Sequence, residues 1–354
     1  MRIVAGANAA TVLVMLLVGY SDRVNPVAHP LIANVGLLFP VFLLLNVAFL
    51  VFWLLFRKRG ALISFVGFIV CYVPIRTYAP LNVPSDAPEG ALKVLSYNVF
   101  NYSTWTDWSK PGEIVEYIVQ HDADIVCLQE ANCTGRKREI VDSVMALKYP
   151  YIKYESSKEK SGSDELALFS KLPILGVEHI SEEGSTYNAV AYEVLTGKRD
   201  TTLVVVTHLQ STGVSLEDRS RFKSMLKGDM DKGETKQTTK RLWHQLGEAS
   251  AIRAPQADAV AAFVERNRGK SIILAGDFND SPISYVHHRI ADELTDCYVS
   301  SANGPGISYY YSGFYVRIDN IMCSDHWKPY DCRVDKAIKA SDHYPIMCWL
   351  ERQQ

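Results

Sequence analysis

The sequence predicts a chain of two unlike parts, an apolar helical anchor followed by a mixed α/β (α+β) domain with a mostly β core and helices outside it. Three observations carry this. Residues 1–80 hold three apolar runs without an internal charge, Ile3–Tyr20, Leu31–Phe56 and Ala61–Val73. From Leu92 to Leu350, short β-rich apolar runs alternate with segments of helical spacing. Most of the strand-like runs close on a polar residue suited to chemistry: Asn98, Glu130, His208, Asp277 and Asp342. Acids and histidines gathered at one rim of a rigid core are what a catalytic scaffold needs.

At 354 residues the chain is long for one ordinary domain, and 48% hydrophobic against 21% charged content supports a sizeable core. The net charge of -2 hides an asymmetry. Residues 1–80 carry six Lys/Arg and one acid, Asp22, leaving 31 basic against 38 acidic residues beyond, a formal charge of -7. Proteins that grip nucleic acid by its phosphates are usually basic, so this balance weighs against a DNA substrate. Seven cysteines show no CxxC pair and no Cys/His ligand spacing, which argues against a zinc site. Buried free thiols are the ordinary reading. A bridge such as Cys323–Cys332 becomes an option if the domain lies outside the cytoplasm.

Leu31–Phe56 exceeds the roughly 20 residues that span a bilayer, and the other two runs come close to the lower limit, so about three transmembrane helices are expected. A cleavable signal peptide competes for the first run, but its charged start is only Arg2 and two more apolar runs follow. Arg57-Lys58-Arg59 lies tightly between the second and third runs, and the positive-inside rule puts it in the cytoplasm. Everything after Tyr78 then lies outside, the periplasmic side of an inner membrane if the chain is bacterial. Pro80, Pro84, Pro88 and Gly90 mark an extended linker. The expected divisions are an anchor over 1–80, a linker over 81–91 and a catalytic domain over 92–354.

Within that domain Leu92–Val99, Asp124–Gln129, Leu166–Phe169, Thr201–Thr207, Ser271–Ala275, Ile318–Cys323 and Tyr344–Leu350 read as strands, and Gly112–Gln120 and Arg253–Val264 as helices. Val214–Ser250 mixes eight Lys/Arg with six acids and carries Gly228 and Gly233. It reads as a helix, loop and helix inserted on the surface, a solvated face rather than a basic patch, whose place after His208 also makes it a candidate wall of a site.

The polar strand ends suit phosphoester hydrolysis, which needs charge neutralisation, an aligned water and a donor for the transition state. Mg²⁺ prefers one or two carboxylates plus waters and substrate oxygens, a sparse role that Glu130 fits. Asp277 and Asn279 lie two apart on a segment expected to be extended, so both point one way, a carboxylate for water and an amide for phosphate. Asp342-His343 sets an acid beside an imidazole, and Asp319 suits the task of fixing that imidazole's tautomer. Singly, each residue has a plainer reading: a turn after a strand for Gly276–Asn279, a structural histidine for His208, a cap for Ser341-Asp342.

In combination, LSYNV (Asn98), CLQEA (Glu130), LALFSKLPI, THLQS (His208), RAPQA (Arg253, Gln256), LAGDFNDSP (Asp277, Asn279), IDNI (Asp319) and SDHYPI (Asp342, His343) resemble the endonuclease/exonuclease/phosphatase superfamily in order and spacing, over most of residues 92–350. The three-run anchor makes the chain similar to bacterial membrane-anchored members. The resemblance implies a four-layer αββα sandwich with two packed mixed sheets. It implies Mg²⁺ or Mn²⁺ on Glu130, with Asn98 and Asp342 nearby. Asp277 would orient the attacking water, Asn279 and Asn98 would contact the phosphate, His343 oriented by Asp319 would act as acid, and His208 would be a second phosphate-binding histidine.

The resemblance leaves the substrate open among nucleic acid, phospholipid and inositol phosphate. A phosphodiesterase or nuclease-like hydrolase comes first. A lipid or inositol-phosphate phosphatase or phospholipase C-type enzyme is the alternative, and a catalytically inactive binding module on a membrane anchor is the rival from another class. The bilayer is an expected partner, and no obligate protein partner is evident. The aromatic residues Phe100, Tyr102, Trp105 and Trp108, and Tyr309 to Tyr315, flank the motifs, where packing between loops is the commoner role and substrate stacking the sharper one.

Overall fold

A computed structural model describes residues 1–156, 164–180, 188–311 and 313–353. The apolar runs become α1 (Arg2–Gly19), α2 (Pro30–Ala33), α3 (Phe39–Phe56), α4 (Ala61–Val70) and α5 (Tyr72–Tyr78), with a 3-10 turn over Asn34–Leu38 joining α2 to α3. Arg2–Arg23 and Pro30–Phe56 are long and apolar enough to cross a membrane, while the third expected span is a pair, Lys58–Val70 and Tyr72–Tyr78, bent by 69°. The bend has a local cause. Pro74 has no N–H to give the carbonyl of Val70, and the helix breaks between them. That carbonyl instead accepts the Tyr20 hydroxyl at 3.0 Å.

Polar side chains tie α1, α3 and α4 together. Asn8 Oδ1 accepts from Trp53 Nε1 at 2.9 Å and Ser64 Oγ at 3.1 Å, and Asn8 Nδ2 donates to Asn46 Oδ1 at 3.2 Å. All four residues are buried, whereas Leu13, Leu17, Leu44, Leu55, Leu62 and Phe65 face outward and bare. An apolar exterior around a polar seam is the inverse of a water-soluble bundle.

The rest of the chain forms two six-stranded mixed sheets. The first contains β1 (Leu92–Asn98), β2 (Ile125–Gln129), β3 (Tyr151–Ser156) and β4 (Glu165–Ser170), completed by β11 (Trp327–Val334) and β12 (Ile346–Arg352), in the order β11-β12-β1-β2-β4-β3. The second contains β5 (Ile174–His179), β6 (Asn188–Leu195), β7 (Thr201–His208), β8 (Ile272–Asp277), β9 (Thr295–Asp296) and β10 (Asp319–Cys323), in the order β5-β6-β7-β8-β10-β9. β1 pairs with β2, and β7 with β8, in parallel; the other pairs are antiparallel.

Alternation along the central strands builds the layers. Val94, Ile125, Cys127 and Leu168 meet Val204, Val206, Ile273 and Ala275 between the sheets. The intervening residues face outward: Leu95, Tyr97, Val126 and Phe169 meet α6 (Glu113–His121) and α7 (Gly135–Met145). Val205, Leu274 and Met322 meet α9 (Lys232–Arg266) and α10 (Tyr285–Ala291). Strands covered on both faces tend to be apolar throughout, which is why β1, β2, β4, β7, β8, β10 and β12 were legible as runs. The expected four-layer α/β sandwich is the observed one.

Five strands were missed: β3, β5, β9 and β11 at sheet edges, of which β3 and β5 expose half or more of their residues, and β6, an interior strand whose Ala189, Val190, Ala191, Tyr192 and Val194 are buried. The expected insertion over 214–250 needs correction. It contains α8 (Leu216–Lys227), but its second half is no separate element, because α9 runs unbroken from Lys232 to Arg266 through Pro255. The Cys323–Cys332 option also fails: all seven cysteines are buried free thiols, and the sulfur facing Cys323 at 3.6 Å is that of Cys297. The short α11 (Cys297–Ser301) carries that residue.

Candidate active site

The strand pairing delivers the polar ends to one rim. Parallel β7 and β8 set His208 opposite Asp277, antiparallel β10 starts at Asp319 opposite Asp277, and parallel β1 and β2 set Asn98 opposite Gln129, one residue before Glu130. The turn before β12 adds Asp342 and His343, tied to β1 by Ser341, whose hydroxyl donates to the Asn98 carbonyl at 2.7 Å and accepts the His343 N–H at 3.2 Å. Ser341 is thus the fastener of a turn rather than a helix cap.

Asp277 lies at the centre. Its Oδ2 accepts from Asn98 Nδ2 at 3.1 Å and lies 3.6 Å from His208 Nε2 and 3.7 Å from His343 Nε2. Each imidazole is held from behind by a carboxylate, His343 Nδ1 by Asp319 Oδ2 at 2.8 Å and His208 Nδ1 by Asp164 Oδ2 at 2.6 Å. Asp342 Oδ1 lies 4.0 Å from His343 Nε2. Glu130 Oε1 accepts from Asn98 Nδ2 at 3.1 Å and lies 3.9 Å from His208 Nε2, and its Oε2 accepts from Asn101 Nδ2 at 3.1 Å. Glu130 has a φ of 51°, an uncommon conformation for a non-glycine residue, sustained because its carbonyl accepts the Asn101 N–H at 2.9 Å.

Charge follows from this enclosure. Burial, then Asp319, pushes the Asp277 carboxyl up to about 6, with His343 and His208 pulling the other way. Burial disfavours both imidazolium ions, but their acids outweigh it: Asp164, Asp277 and Glu130 carry His208 up to about 9, and Asp319 and Asp277 carry His343 up to about 10. Near neutral pH the site therefore holds two protonated imidazoles around a carboxyl poised close to its own titration point.

All eight expected residues lie at this rim, Asn279 in an unexpected way. The segment is not extended there, since Asn279 has a φ of 52°. Its N–H turns back to Asp277 Oδ1 at 2.7 Å, and its side-chain amide donates to the Leu209 carbonyl at 3.0 Å, so the two side chains do not point in parallel. Asp164 and Asn101 went unnoticed in the sequence, Ser341 was read only as a cap, and Tyr309 only as one of an aromatic cluster. Tyr309, whose ring meets His343 edge-on at 5.0 Å, receives a hydrogen bond from Arg219 of α8 at 2.7 Å. That contact and the stacked pair Phe222–Phe314 make α8 a wall of the site. Tyr102 and Trp105 pack into the core, while Tyr311 and Tyr315 stay exposed. The only signal for Asp164 was an acid shortly before a strand, which many loops show.

Asp277, Asp319 and His343 form a buried group whose ligand atoms lie within 4.8 Å of one another and could hold a metal ion. The chemistry of the donors fits a hard divalent cation. Five carboxylates (Glu130, Asp164, Asp277, Asp319, Asp342) face two imidazoles, and Asp319 Oδ1 is buried without a hydrogen-bond partner among the described residues.

Two family models match the chain. The Endonuclease/Exonuclease/phosphatase family covers residues 95–343, and a Domain of unknown function (DUF8431) covers residues 1–78. No curated protein matches. Among solved structures, truncated Caenorhabditis elegans TDP2 is similar at 17% identity and a TM-score of 0.51, covering 75% of this chain and 99% of that one. The human Nocturnin catalytic domain with bound sulfate is similar at 17% identity and a TM-score of 0.50, covering 76% and 96%. An endonuclease/exonuclease/phosphatase family protein from Bacteroides thetaiotaomicron gives 17% and 0.50, covering 76% and 100%. At these identities the likeness speaks for the fold.

Proposed function

The chain belongs to the endonuclease/exonuclease/phosphatase family, whose members are generally divalent-metal-dependent phosphoester hydrolases, and we propose that it is a membrane-anchored phosphodiesterase of this kind. The observation that carries the reading is Asp277 Oδ2 lodged between two imidazole Nε2 atoms at 3.6 and 3.7 Å. A carboxylate so placed accepts the proton of an attacking water, and a pKa of about 6 suits a base working near neutrality. His343, protonated and held by Asp319, faces the same point and either stabilises the developing phosphorane charge or protonates the leaving oxygen. His208, protonated and held by Asp164, binds a non-bridging phosphate oxygen. Asn98 and the second N–H of the Asn279 amide offer further donors to the phosphate.

Mg²⁺ or Mn²⁺ on Glu130, with Asn98 and Asp342 alongside, would neutralise charge on the phosphate. Glu130 is the acid of the set with the most open side chain, 25% exposed, and binding there leaves the His343–Asp319 hydrogen bond intact.

The anchor supports a site outside the cytoplasm. The turn at Arg57–Gly60 lies at the far end of α3 from Asn34–Leu38, which touches the catalytic part, so a cytoplasmic basic loop leaves the site on the other side. That location and the formal charge of -7 beyond residue 80 favour a phospholipid head group or a scavenged phosphodiester over chromosomal DNA. The test uses the full-length protein in detergent with bis(p-nitrophenyl) phosphate, DNA, phospholipid and inositol phosphates, each with Mn²⁺ and with EDTA. Chelator-sensitive turnover of diesters, lost in Asp277→Ala, is expected. No turnover on any substrate, or turnover indifferent to EDTA, would sink the reading. Turnover of monoesters alone would favour the phosphatase alternative.

A further inference from the structure

Residues 1–78 do more than anchor: we propose that the elbow Pro30–Leu38 positions the catalytic loops through a buried relay from Asn34 through Ser250 and Arg253 to Asp280. The inference rests on the hydrolase reading above, but its geometry stands apart from it. Arg253, 1% exposed on α9, is a hub. Its Nε donates to Asp280 Oδ2 at 3.2 Å, its Nη1 to the Gln210 carbonyl at 3.0 Å and to Thr212 Oγ1 at 3.3 Å, and its Nη2 to Ser250 Oγ at 2.9 Å. One guanidinium thereby spans the two loops that carry the site, the one after His208 and the one after Asp277. A planar fork with fixed donor directions sets the relative position of the groups it touches.

The fourth partner leads to the anchor. Ser250 Oγ donates onward to Asn34 Oδ1 at 3.0 Å, and Asn34 Nδ2 is held by the Pro30 carbonyl at 3.0 Å. The elbow is seated on both sides of this thread. Trp243 Nε1 donates to the Leu31 carbonyl at 3.1 Å, and a Cβ at Gly247 would lie 3.1 Å from the Pro30 carbonyl oxygen. Opposite, Gly36 lies so close to Ile283 that a Cβ there would overlap the Ile283 carbonyl oxygen. Ile283 is six residues from Asp277 and buried in the cluster with Met15, Phe39 and Cys71. A buried polar chain with every member engaged transmits displacement, because each break leaves an unpaired group in the interior. The loop that bears Asp277 and Asn279 is therefore gripped from one side by its own sheet and from the other by the anchor.

The test compares wild type with Asn34→Ala, Gly36→Ala, Ser250→Ala and the Asn34→Ala/Ser250→Ala pair, all full-length in nanodiscs. It measures Mn²⁺-supported kcat and KM on bis(p-nitrophenyl) phosphate, and amide hydrogen exchange. Asn34→Ala and Gly36→Ala should each lower kcat roughly 3- to 30-fold with little change in KM. Exchange should quicken over 209–213 and 278–283 while the central strands keep their protection, and the pair should be no worse than Ser250→Ala alone. Unchanged exchange in both loops, additive effects in the pair, or faster exchange across β1, β2, β7 and β8 as well would overturn the proposal. Should Gly36→Ala not fold, Asn34→Ala decides. If wild type turns over nothing, the hydrolase reading fails while the exchange pattern still decides the relay.

Discussion

At the scale of single residues the site is an arrangement of charges around Asp277. Replacing Asp277 by Asn keeps the shape and removes the proposed base, so kcat should fall by about 10²- to 10⁴-fold with the fold intact, checked by turnover beside a thermal melt. The histidines also make a prediction for the metal-free protein. His343 titrates near 10 when folded, above its ordinary 6.5, so the folded chain keeps a proton that the unfolded chain releases between those values. That contribution to stability is whole below pH 6.5 and is lost as pH rises through about 10. In EDTA, the melting temperature of wild type should therefore decline over pH 6.5–10 more steeply than that of His343→Gln, and equal slopes would refute the protonated assignment. The types of these residues were readable in the sequence, and so was the position of Asn98, Glu130, His208 and Asp277 at the ends of strands, whereas Asp342 lies in the turn before β12 and not at a strand's end. Asp164, which holds His208, was not readable, because 44 residues separate the partners and only the fold sets them 2.6 Å apart.

At the scale of elements, close approach and edge position decide what is tolerated. A Cβ on Gly276 would sit on the Thr207 carbonyl oxygen where β7 pairs with β8, an overlap that no rotamer relieves. Gly276→Ala should cost roughly 2–3 kcal/mol, seen as a melting temperature lower by about 4–10 °C. In the anchor, Asn8 joins α1 to both α3 and α4. Asn8→Leu should loosen that bundle by roughly 0.6–2 kcal/mol, measured as a lower unfolding midpoint in detergent while Asp277 chemistry persists. Most central strands and α6 were legible because burial on both faces, or on one helical stripe, imposes a pattern on the sequence; interior β6 was the exception. β3 and β5 were not legible, because an edge strand with exposed side chains carries no such pattern. The continuity of α9 through Pro255 was hidden for a related reason: proline usually interrupts a helix, and here the burial of Arg253, Ala254, Gln256 and Ala257 carries it past.

At the scale of the whole molecule, the anchor and the sandwich share a face, with the elbow at Asn34–Leu38 seated against α9 and the loop before α10. A reporter joined to the C-terminus and active only outside the cytoplasm should be active, and activity of a cytoplasm-only reporter would reverse the orientation read from Arg57–Arg59. Composition, hydropathy and the ordered motifs were sufficient for the apolar N-terminal helices, the α/β class and the family. These are local properties, written in periodicity and spacing. The tertiary structure decided which acid stands behind which histidine, that Asn279 turns back on Asp277, and that the cysteines stay apart as thiols. It also decided that an element resembling a surface insertion has one end beneath the anchor. Each of these depends on distances between residues far apart in the chain, which are set by sheet order and helix packing and which no local pattern encodes. Gly276–Asn279 shows the division: its sequence marked it as a turn with a useful acid, and its neighbours in space placed that acid between two imidazoles at the centre of the candidate site.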